Sequence, residues 1–233
     1  MEEWIAIADK FDRRWHFPNC GGAIDDKHIR ITPPANSVSF YYNYKGYFSM
    51  VLMVVVNANY EFLCVDVGKN GRASDSGSFK NMAFYNQFTT KTLHLPSREA
   101  IKHGLNYVFV ADEAFALHEN VMKPFPQRVL NKEITALGIL SNQFQIFHMA
   151  IHLKVEKIDL VVTACCVLHK KATQQRTVAT VVLEDPEYPE EVAQFPSVAG
   201  RPVCETGTAL AKKVRVEYMA YFNEDGVVLW QEE

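Results

Sequence analysis

Three stretches in the first third of the chain have the apolar and polar pattern of β-strands. Residues 21–31 begin apolar and then alternate, as a half-buried strand does. Residues 47–56 are β-branched and aromatic and are solidly apolar from Met50, which favours a buried strand. Residues 62–67 return after the tight turn of Asn57-Ala58-Asn59, so the second and third strands are predicted to form a hairpin.

A fourth strand and several helices are predicted further along the chain. Residues 106–111 form a short apolar run that ends in Asp112, as a buried central strand would. For residues 155–169, which are rich in β-branched side chains, a strand is the alternative to a helix. The predicted helices have the apolar stripes Trp4, Ala8, Phe11 and Trp15; Phe79, Met82, Tyr85 and Phe88; Leu137, Leu140, Phe144 and Phe147; Val155, Ile158, Val162, Cys165 and His169; and Leu210, Val214, Tyr218 and Tyr221.

This order of elements predicts an α/β or α+β domain with a mixed sheet. The first three strands can pair as a meander, and the fourth can lie parallel beside the first by a right-handed crossover. In that arrangement Asp25 and Asp112 end adjacent strands.

The acids at these strand ends are the first candidates for chemistry. Side-chain alternation sends Asp25 and Asp26 to opposite faces of the strand, so one of them faces the covered side of the sheet. A carboxylate there is costly unless it is paired or binds a metal. Together with Asp112 this predicts a two-carboxylate site for a hard divalent cation. The structural alternative is that the acids cap loops or pair with Lys27 or Arg30.

Other acids and histidines have simpler interpretations. Asp66 and Asp75 are predicted to serve as a turn residue and a helix cap. His148 and His152 have the i, i+4 spacing of zinc ligands, but no further ligands with metal spacing accompany them. We therefore expect them to be exposed or satisfied by hydrogen bonds.

Residues beside the first strand can contact nucleic acid. The stretch 41–47 mixes aromatic side chains with Lys45 and can stack on bases, although packing within the protein is the more frequent role. Lys27 and His28 can reach a substrate phosphate, with solvated or ion-paired side chains as the default. Arg72 is a further candidate contact to a nucleic-acid backbone.

Composition limits the classes of function. The chain has 233 residues, 48% of them hydrophobic and 22% charged, which is ordinary for one large soluble domain. The net charge of −3 lacks the basic excess of most DNA-binding proteins, so local patches or a partner must supply the attraction. Five cysteines, with Cys165 and Cys166 adjacent on an apolar stripe, favour a reduced intracellular compartment. We predict no membrane-spanning run and no signal peptide.

A set of short motifs, in order along the chain, carries a family resemblance. The motifs are Phe17-Pro18-Asn19-Cys20, Gly22-Ala23-Ile24-Asp25, Lys27-His28, Tyr42-Asn43-Tyr44-Lys45-Gly46, Val65-Asp66-Val67-Gly68, Ser74-Asp75, Val110-Ala111-Asp112-Glu113-Ala114-Phe115, Gly138-Ile139-Leu140, Ala164-Cys165-Cys166-Val167-Leu168-His169, Tyr221-Phe222 and Trp230-Gln231. They resemble the nuclease domain of the PIF/Harbinger transposases and the domesticated nucleases derived from them.

The resemblance implies a ribonuclease-H-like fold, a mixed sheet flanked by helices, with two aspartates and a glutamate as catalytic residues. These carboxylates would hold two Mg²⁺ or Mn²⁺ ions at a DNA phosphodiester. Asp25 matches the first aspartate and Asp112 the second. The implied protein is a nuclear, metal-dependent DNA nuclease.

The third carboxylate departs from the family pattern. Most of an arginine-rich helical stretch of the family is missing, so part of the helical region is truncated, and Ile134 occupies the position of the glutamate. Glu133 is one residue away and four before Leu137, so it can stand in on the inward face of a helix. Its alternative role is an ordinary acid in a first helical turn. Asp26 and Lys170 also replace a usual glycine and asparagine.

These observations define the expected organisation. Residues 1–16 are interpreted as the remnant of an N-terminal helical region, 17–171 as the nuclease domain, 172–206 as an irregular proline-rich connection, and 207–233 as a helix and strand packing on the same domain. The predicted function is a metal-dependent nuclease that a separate DNA-binding protein brings to DNA. The alternative is a catalytically inactive protein that acts as an interaction module.

Overall fold

A computed structural model describes residues 1–37, 39–72, 75–112, 114–123, 135–180 and 207–226. The elements within these ranges are α1 (Glu2–Trp15), β1 (Cys20–Arg30), β2 (Ser49–Val56), β3 (Phe62–Asn70), α2 (Asp75–Lys80), α3 (Ala83–Thr89), β4 (Val108–Ala111), β5 (Val121–Met122), α4 (Thr135–Gln143), α5 (Val155–Thr180) and α6 (Ala209–Asn223). Short 3₁₀ turns occur at Arg98–Ala100, Lys102–Gly104 and Gln145–His148.

The sheet has five strands in the order β3-β2-β1-β4-β5. β1, β2 and β3 pair antiparallel, so the predicted meander is present. β4 pairs parallel with β1, and β5 pairs parallel with β4. The mixed α/β sheet flanked by helices is therefore confirmed, and its strand order is consistent with the ribonuclease-H-like fold.

The two faces of the sheet have separate apolar cores. We call them the α4–α5 face and the α2–α3 face after the helices that cover them. The α4–α5 face contains Met50, Leu52, Val54, Leu137, Leu140, Ile158 and Val162. The α2–α3 face contains Val51, Met53, Val55, Phe79, Met82, Phe84 and Phe88. Every residue of β2 is buried, because its alternate side chains enter different cores.

Local differences from the predicted elements have identifiable causes. β3 continues to Asn70 through a bulge at Gly68, whose φ of 104° is one that glycine adopts readily. The helix predicted from the Phe79 stripe is two helices, because Met82 has extended backbone (ψ 145°) and the Asn81 side chain donates to Gly77 O. Similarly, α4 ends before Phe144, which is extended.

Helix α6 packs against the sheet, and its buried Tyr218 makes hydrogen bonds there. Tyr218 of α6 donates from its hydroxyl towards Asn106 O at 2.7 Å and Pro18 O at 3.1 Å. It packs with Val108 and Met122 of the two parallel strands. α5 continues beyond residue 171 to Thr180, and the division into four segments stays a prediction.

Candidate active site

Gly21 of β1 lies against the rings of Tyr107 and Phe109, where there is no room for a side chain. A Cβ atom built at Gly21 would overlap the ring of Tyr107 and lie 2.9 Å from Phe109 Cε1. The rings of Tyr107 and Phe109 each pack edge to face with Trp4 of α1. The missing side chain therefore lets these rings pack directly on β1, the strand that carries Asp25.

The register of these strands brings Asp25 and Asp112 together. Ile24 pairs with Ala111 in the parallel ladder, so the two aspartates follow directly on neighbouring strands, whose backbones are about 4.8 Å apart. Asp25 pairs with Val54 of β2, which belongs to the α4–α5 face. Asp112 directly follows the end of β4, as expected, but Asp25 lies in the middle of β1 (Cys20–Arg30), so the expectation that it ends its strand is wrong. The register still makes the two residues neighbours, while their role as metal ligands stays a prediction.

Each aspartate is oriented by a backbone amide. Asp25 Oδ1 accepts from Asp26 N at 2.8 Å, and Asp112 Oδ1 accepts from Ala114 N at 2.9 Å. The second bond forms a small turn after β4, so Asp112 also has the loop-capping role considered as its structural alternative. Both side chains are only half-buried, which leaves the two carboxylates partly accessible to solvent.

Lys27 supplies positive charge on the same strand face as Asp25. The two residues are two positions apart on β1, so their side chains point the same way. Burial lowers the pKa of Lys27, the Asp25 carboxylate opposes that change, and the Lys45 charge adds to it. A cation is thus placed next to the aspartates despite the cost of partial burial.

His28 joins a buried polar cluster at the end of β1. Its Nδ1 lies 2.9 Å from Ser49 Oγ, and Asn43 Nδ2 donates to the same oxygen at 2.9 Å. His28 and Asn43 are both buried. The histidine therefore ties β1 to the following loop instead of being solvated as the default interpretation held.

A second acid pair, Asp66 and Asp159, lies between β3 and α5. Asp66 is inside β3, so its interpretation as a turn residue is wrong; the strand runs four residues further to Asn70. Its Oδ2 is 3.7 Å from Lys69 Nζ. The Asp159 carboxylate lies against Gly68, where a Cβ would be 3.0 Å from both carboxylate oxygens. Burial raises the pKa of Asp159, and the charges of Asp66 and Glu156 raise it further.

The remaining predicted site residues are less informative. Glu133, the stand-in for the third carboxylate, lies outside the described residues, as does Ser74. Within the residues that are described, no group of three or more histidine, cysteine or acidic side chains is arranged to hold a metal ion. His152 instead lies 2.7 Å from Thr32 Oγ1 through Nδ1.

The adjacent cysteines of α5 lie in the protein core. Cys165 and Cys166 are buried, as expected for core residues, and Cys20, Cys64, Cys165 and Cys166 are all free thiols. Across the described ranges, no helix combines the length and apolar character needed to cross a bilayer.

The mixed five-stranded sheet flanked by helices has the class of architecture of the ribonuclease-H-like fold. Comparison with known families gives the more particular result: residues 24–170 match the family described as DDE superfamily endonuclease. The chain belongs to this family, and the resemblance to the PIF/Harbinger transposase-derived nucleases is confirmed.

One relative extends the match beyond the family region. The chain is 29% identical over 187 residues to the Arabidopsis thaliana protein called "Protein ALP1-like", which covers 70% of this chain. The match spans 45% of that protein's length. No solved structure matches the chain significantly.

Proposed function

We propose that this protein is a divalent-metal-dependent nuclease that cuts DNA phosphodiesters. The observation that carries the proposal is the Ile24–Ala111 register, which sets Asp25 and Asp112 side by side on parallel strands. Membership in the DDE superfamily endonucleases supports it. The whole protein's activity is inferred, because the matched relative is more than twice as long as the shared region.

The donor set fits Mg²⁺ or Mn²⁺ in chemical type. Both cations prefer carboxylate oxygens, and Mg²⁺ is commonly held by one or two carboxylates together with substrate phosphate and water. Asp25 and Asp112 are the residues proposed to hold it. When bound, such an ion supplies activation of the attacking oxygen and stabilisation of the leaving oxygen.

The chain's own side chains would position the substrate. The backbone amides of Asp26 and Ala114 fix one oxygen of each aspartate, so less ordering is left to substrate binding. Lys27, on the strand face of Asp25, can donate to a phosphate oxygen. Its charge would orient the scissile phosphate over the two carboxylates.

A third carboxylate is a separate part of the proposal. Glu133 directly precedes Ile134, which occupies the family's glutamate position, and α4 begins two residues later at Thr135. We assign Glu133 this role. A Glu133→Gln variant should lose cleavage while keeping the native melting temperature; native cleavage by this variant would remove Glu133 from the site.

Nicking of supercoiled plasmid DNA tests the nuclease directly. Purified protein with Mn²⁺ or Mg²⁺ should convert plasmid to the open-circular form, and chelation or Asp25→Asn should abolish the conversion. Asp26→Asn is the matched control, since the same substitution one residue along leaves the Asp25–Asp112 pair intact. Equal nicking by the native and Asp25→Asn proteins would overturn the proposal.

The alternative is a catalytically inactive member that serves as an interaction module. The isoleucine at position 134 is the observation that favours it. Absence of nicking with Mn²⁺ or Mg²⁺, together with a melting temperature that these ions do not change, would support this alternative over the nuclease.

Delivery to DNA is proposed to involve a second protein. The net charge of −3 provides little general attraction to a polyanion. A DNA-binding partner would supply it, and action on DNA implies the nucleus as the compartment. Co-expression with candidate partners followed by DNA-dependent co-purification tests this step.

A further inference from the structure

The loop between β1 and β2 exposes an unusual set of aromatic side chains. Phe40, Tyr42 and Tyr44 are 54%, 46% and 61% exposed. The other large apolar side chains exposed in the described ranges are all aliphatic or methionine. Aromatic side chains normally contribute large buried area to cores and interfaces. We call residues 39–48 the Tyr44 loop.

The Tyr44 loop is held in a defined shape by Asn43. The Asn43 side chain accepts from Lys45 N at 2.9 Å and from Tyr47 N at 3.2 Å, and donates to Ser49 Oγ. The buried His28 shares that hydroxyl. The exposed rings therefore stand on an ordered turn, which lowers the entropy cost of binding something against them.

Cations surround the rings of the loop. Lys45 Nζ lies 5.4 Å from the centroid of the Tyr44 ring, and Arg30 Cζ lies 4.4 Å from that of Tyr47. Lys27 is near enough to Lys45 for the two charges to interact. Asp26 interacts with Lys45 and Asp25 interacts with Lys27, so this corner has three cations and two carboxylates. The combination of rings and cations matches a nucleic-acid strand, with bases for the rings and phosphates for the cations.

The Tyr44 loop is also close to the candidate active site. The Tyr44 and His28 rings are 5.6 Å apart, edge to face. His28 is three residues after Asp25 on β1, about 10 Å along the strand, and its side chain is on the opposite face. Lys27 is on the Asp25 face and its charge interacts with both Asp25 and Lys45, which connects the loop to that face. A DNA strand lying across the aspartates can therefore reach the loop within a few nucleotides.

We propose that the Tyr44 loop is a stacking platform for unpaired nucleotides next to the cleavage position. This inference rests on the proposed nuclease function and specifies its substrate: DNA with a single-stranded or extruded segment near the scissile phosphate. Bases can stack on aromatic rings only after leaving the duplex. The platform therefore favours unpaired over fully paired DNA.

Binding in the absence of divalent metal separates the platform from catalysis. The probes are a fluorescent single-stranded oligonucleotide, the matching blunt duplex, and the duplex with an unpaired overhang, measured by anisotropy in chelator. Tyr44→Ala should weaken single-strand binding roughly 5- to 150-fold, the range for loss of one stacked base, and leave duplex binding unchanged. Tyr44→Phe should retain binding, and Tyr44→Leu should not, because only the ring stacks.

Two controls guard against unrelated effects. Leu160→Ala removes an exposed apolar side chain on α5, and Lys213→Gln removes an exposed cation on α6; both should bind like the native chain. Native melting temperatures are expected for the Tyr44 variants because that ring is exposed. Size-exclusion chromatography of native and Tyr44→Ala protein tests whether a second copy covers the loop.

The outcomes are distinguishable from those of the nuclease itself. Binding that is equal for Tyr44→Leu and Tyr44→Phe, equal native affinity for unpaired and paired DNA, or a Tyr44-dependent dimer would overturn the platform. Plasmid nicking with no Tyr44-dependent binding would remove the platform and keep the nuclease. Tyr44-dependent binding without nicking would keep the platform and remove the nuclease.

Discussion

The protein has two pairs of aspartates that differ in their surroundings more than in their chemistry. Asp25 and Asp112 follow paired residues on parallel strands, and a backbone amide orients each one. Asp66 and Asp159 lie between a strand and a helix, with the backbone of Gly68 against the Asp159 carboxylate. Asp159 Oδ1 is buried without a hydrogen-bond partner among the described residues.

Closeness of two acids alone does not distinguish the two pairs, but their surroundings do. In the first pair each carboxylate is half-buried and accepts from a backbone amide. The second pair is bounded by the β3 backbone, and the charge of Asp66 raises the pKa of Asp159. We therefore expect the first pair to act on substrate and the second to lower stability.

The largest difference between the Asp25–Asp112 pair and the Asp66–Asp159 pair is expected in nuclease activity. Asp112→Asn should reduce plasmid nicking to the level without protein, because one carboxylate of the proposed metal site is lost. Asp66→Asn, the same substitution in the second pair, should nick at the native rate. Loss of activity in both variants would show that the two pairs are not functionally distinct.

The next largest effect is expected where the rings of Tyr107 and Phe109 pack against Gly21. Gly21→Ala places a Cβ against Tyr107 and Phe109 and should cost about 1–3 kcal/mol of unfolding free energy, as overpacking does. It should also reduce nicking, because the displaced rings pack on the strands that position Asp25 and Asp112. Denaturant unfolding measures the first effect.

Gly138→Ala provides the matched control in α4. A Cβ there meets nothing within 4 Å, and replacing a mid-helix glycine should add roughly 0.5–1 kcal/mol of stability. Equal stability changes for the two glycine variants would contradict the close contact of Gly21 with Tyr107 and Phe109.

The smallest expected effect is on folding stability, through the Asp66–Asp159 pair. The folded-state pKa of Asp159 is raised above its unfolded value, so protonation favours the folded state. Its ionisation therefore lowers stability as the pH rises from the ordinary carboxyl range through the raised pKa, and the penalty remains at neutral pH. Asp159→Asn should raise stability at pH 7 by no more than about 1 kcal/mol, since the group is partly exposed.

Urea unfolding at pH 4 and pH 7 checks this sign. The gain of Asp159→Asn over the native chain should be smaller at pH 4, where the native carboxyl is more protonated. A larger gain at pH 4 would contradict the direction of the pKa change.

The sheet could be predicted because the apolar pattern within each long strand indicates whether that strand is buried. β2 is apolar throughout, which indicates burial on both faces, and the apolar run before Asp112 has the character of a central strand. The meander and the parallel pairing of β4 then follow from few alternatives. The two-residue β5 has no such pattern and could not be predicted.

The details of the site depend on contacts between distant residues. The short-range pattern of β3 suggested that it ended before Gly68, because the sequence does not reveal that a bulge lets pairing continue to Asn70. The burial of His28 depends on Ser49 and Asn43 across the loop. Exposure of Tyr44 likewise follows from the turn that Asn43 organises, whereas composition alone favoured packing.

Thermal unfolding with and without Mn²⁺ tests the central claim most directly. The proteins are the native chain, Asp112→Asn, and Asp159→Asn as the control in the second pair. At 100 times its dissociation constant, Mn²⁺ should stabilise the native chain and Asp159→Asn by about 2.7 kcal/mol and leave Asp112→Asn unchanged. A native chain that ignores Mn²⁺, or an Asp112→Asn variant that is stabilised as much as the native chain, would contradict a metal site at Asp25 and Asp112.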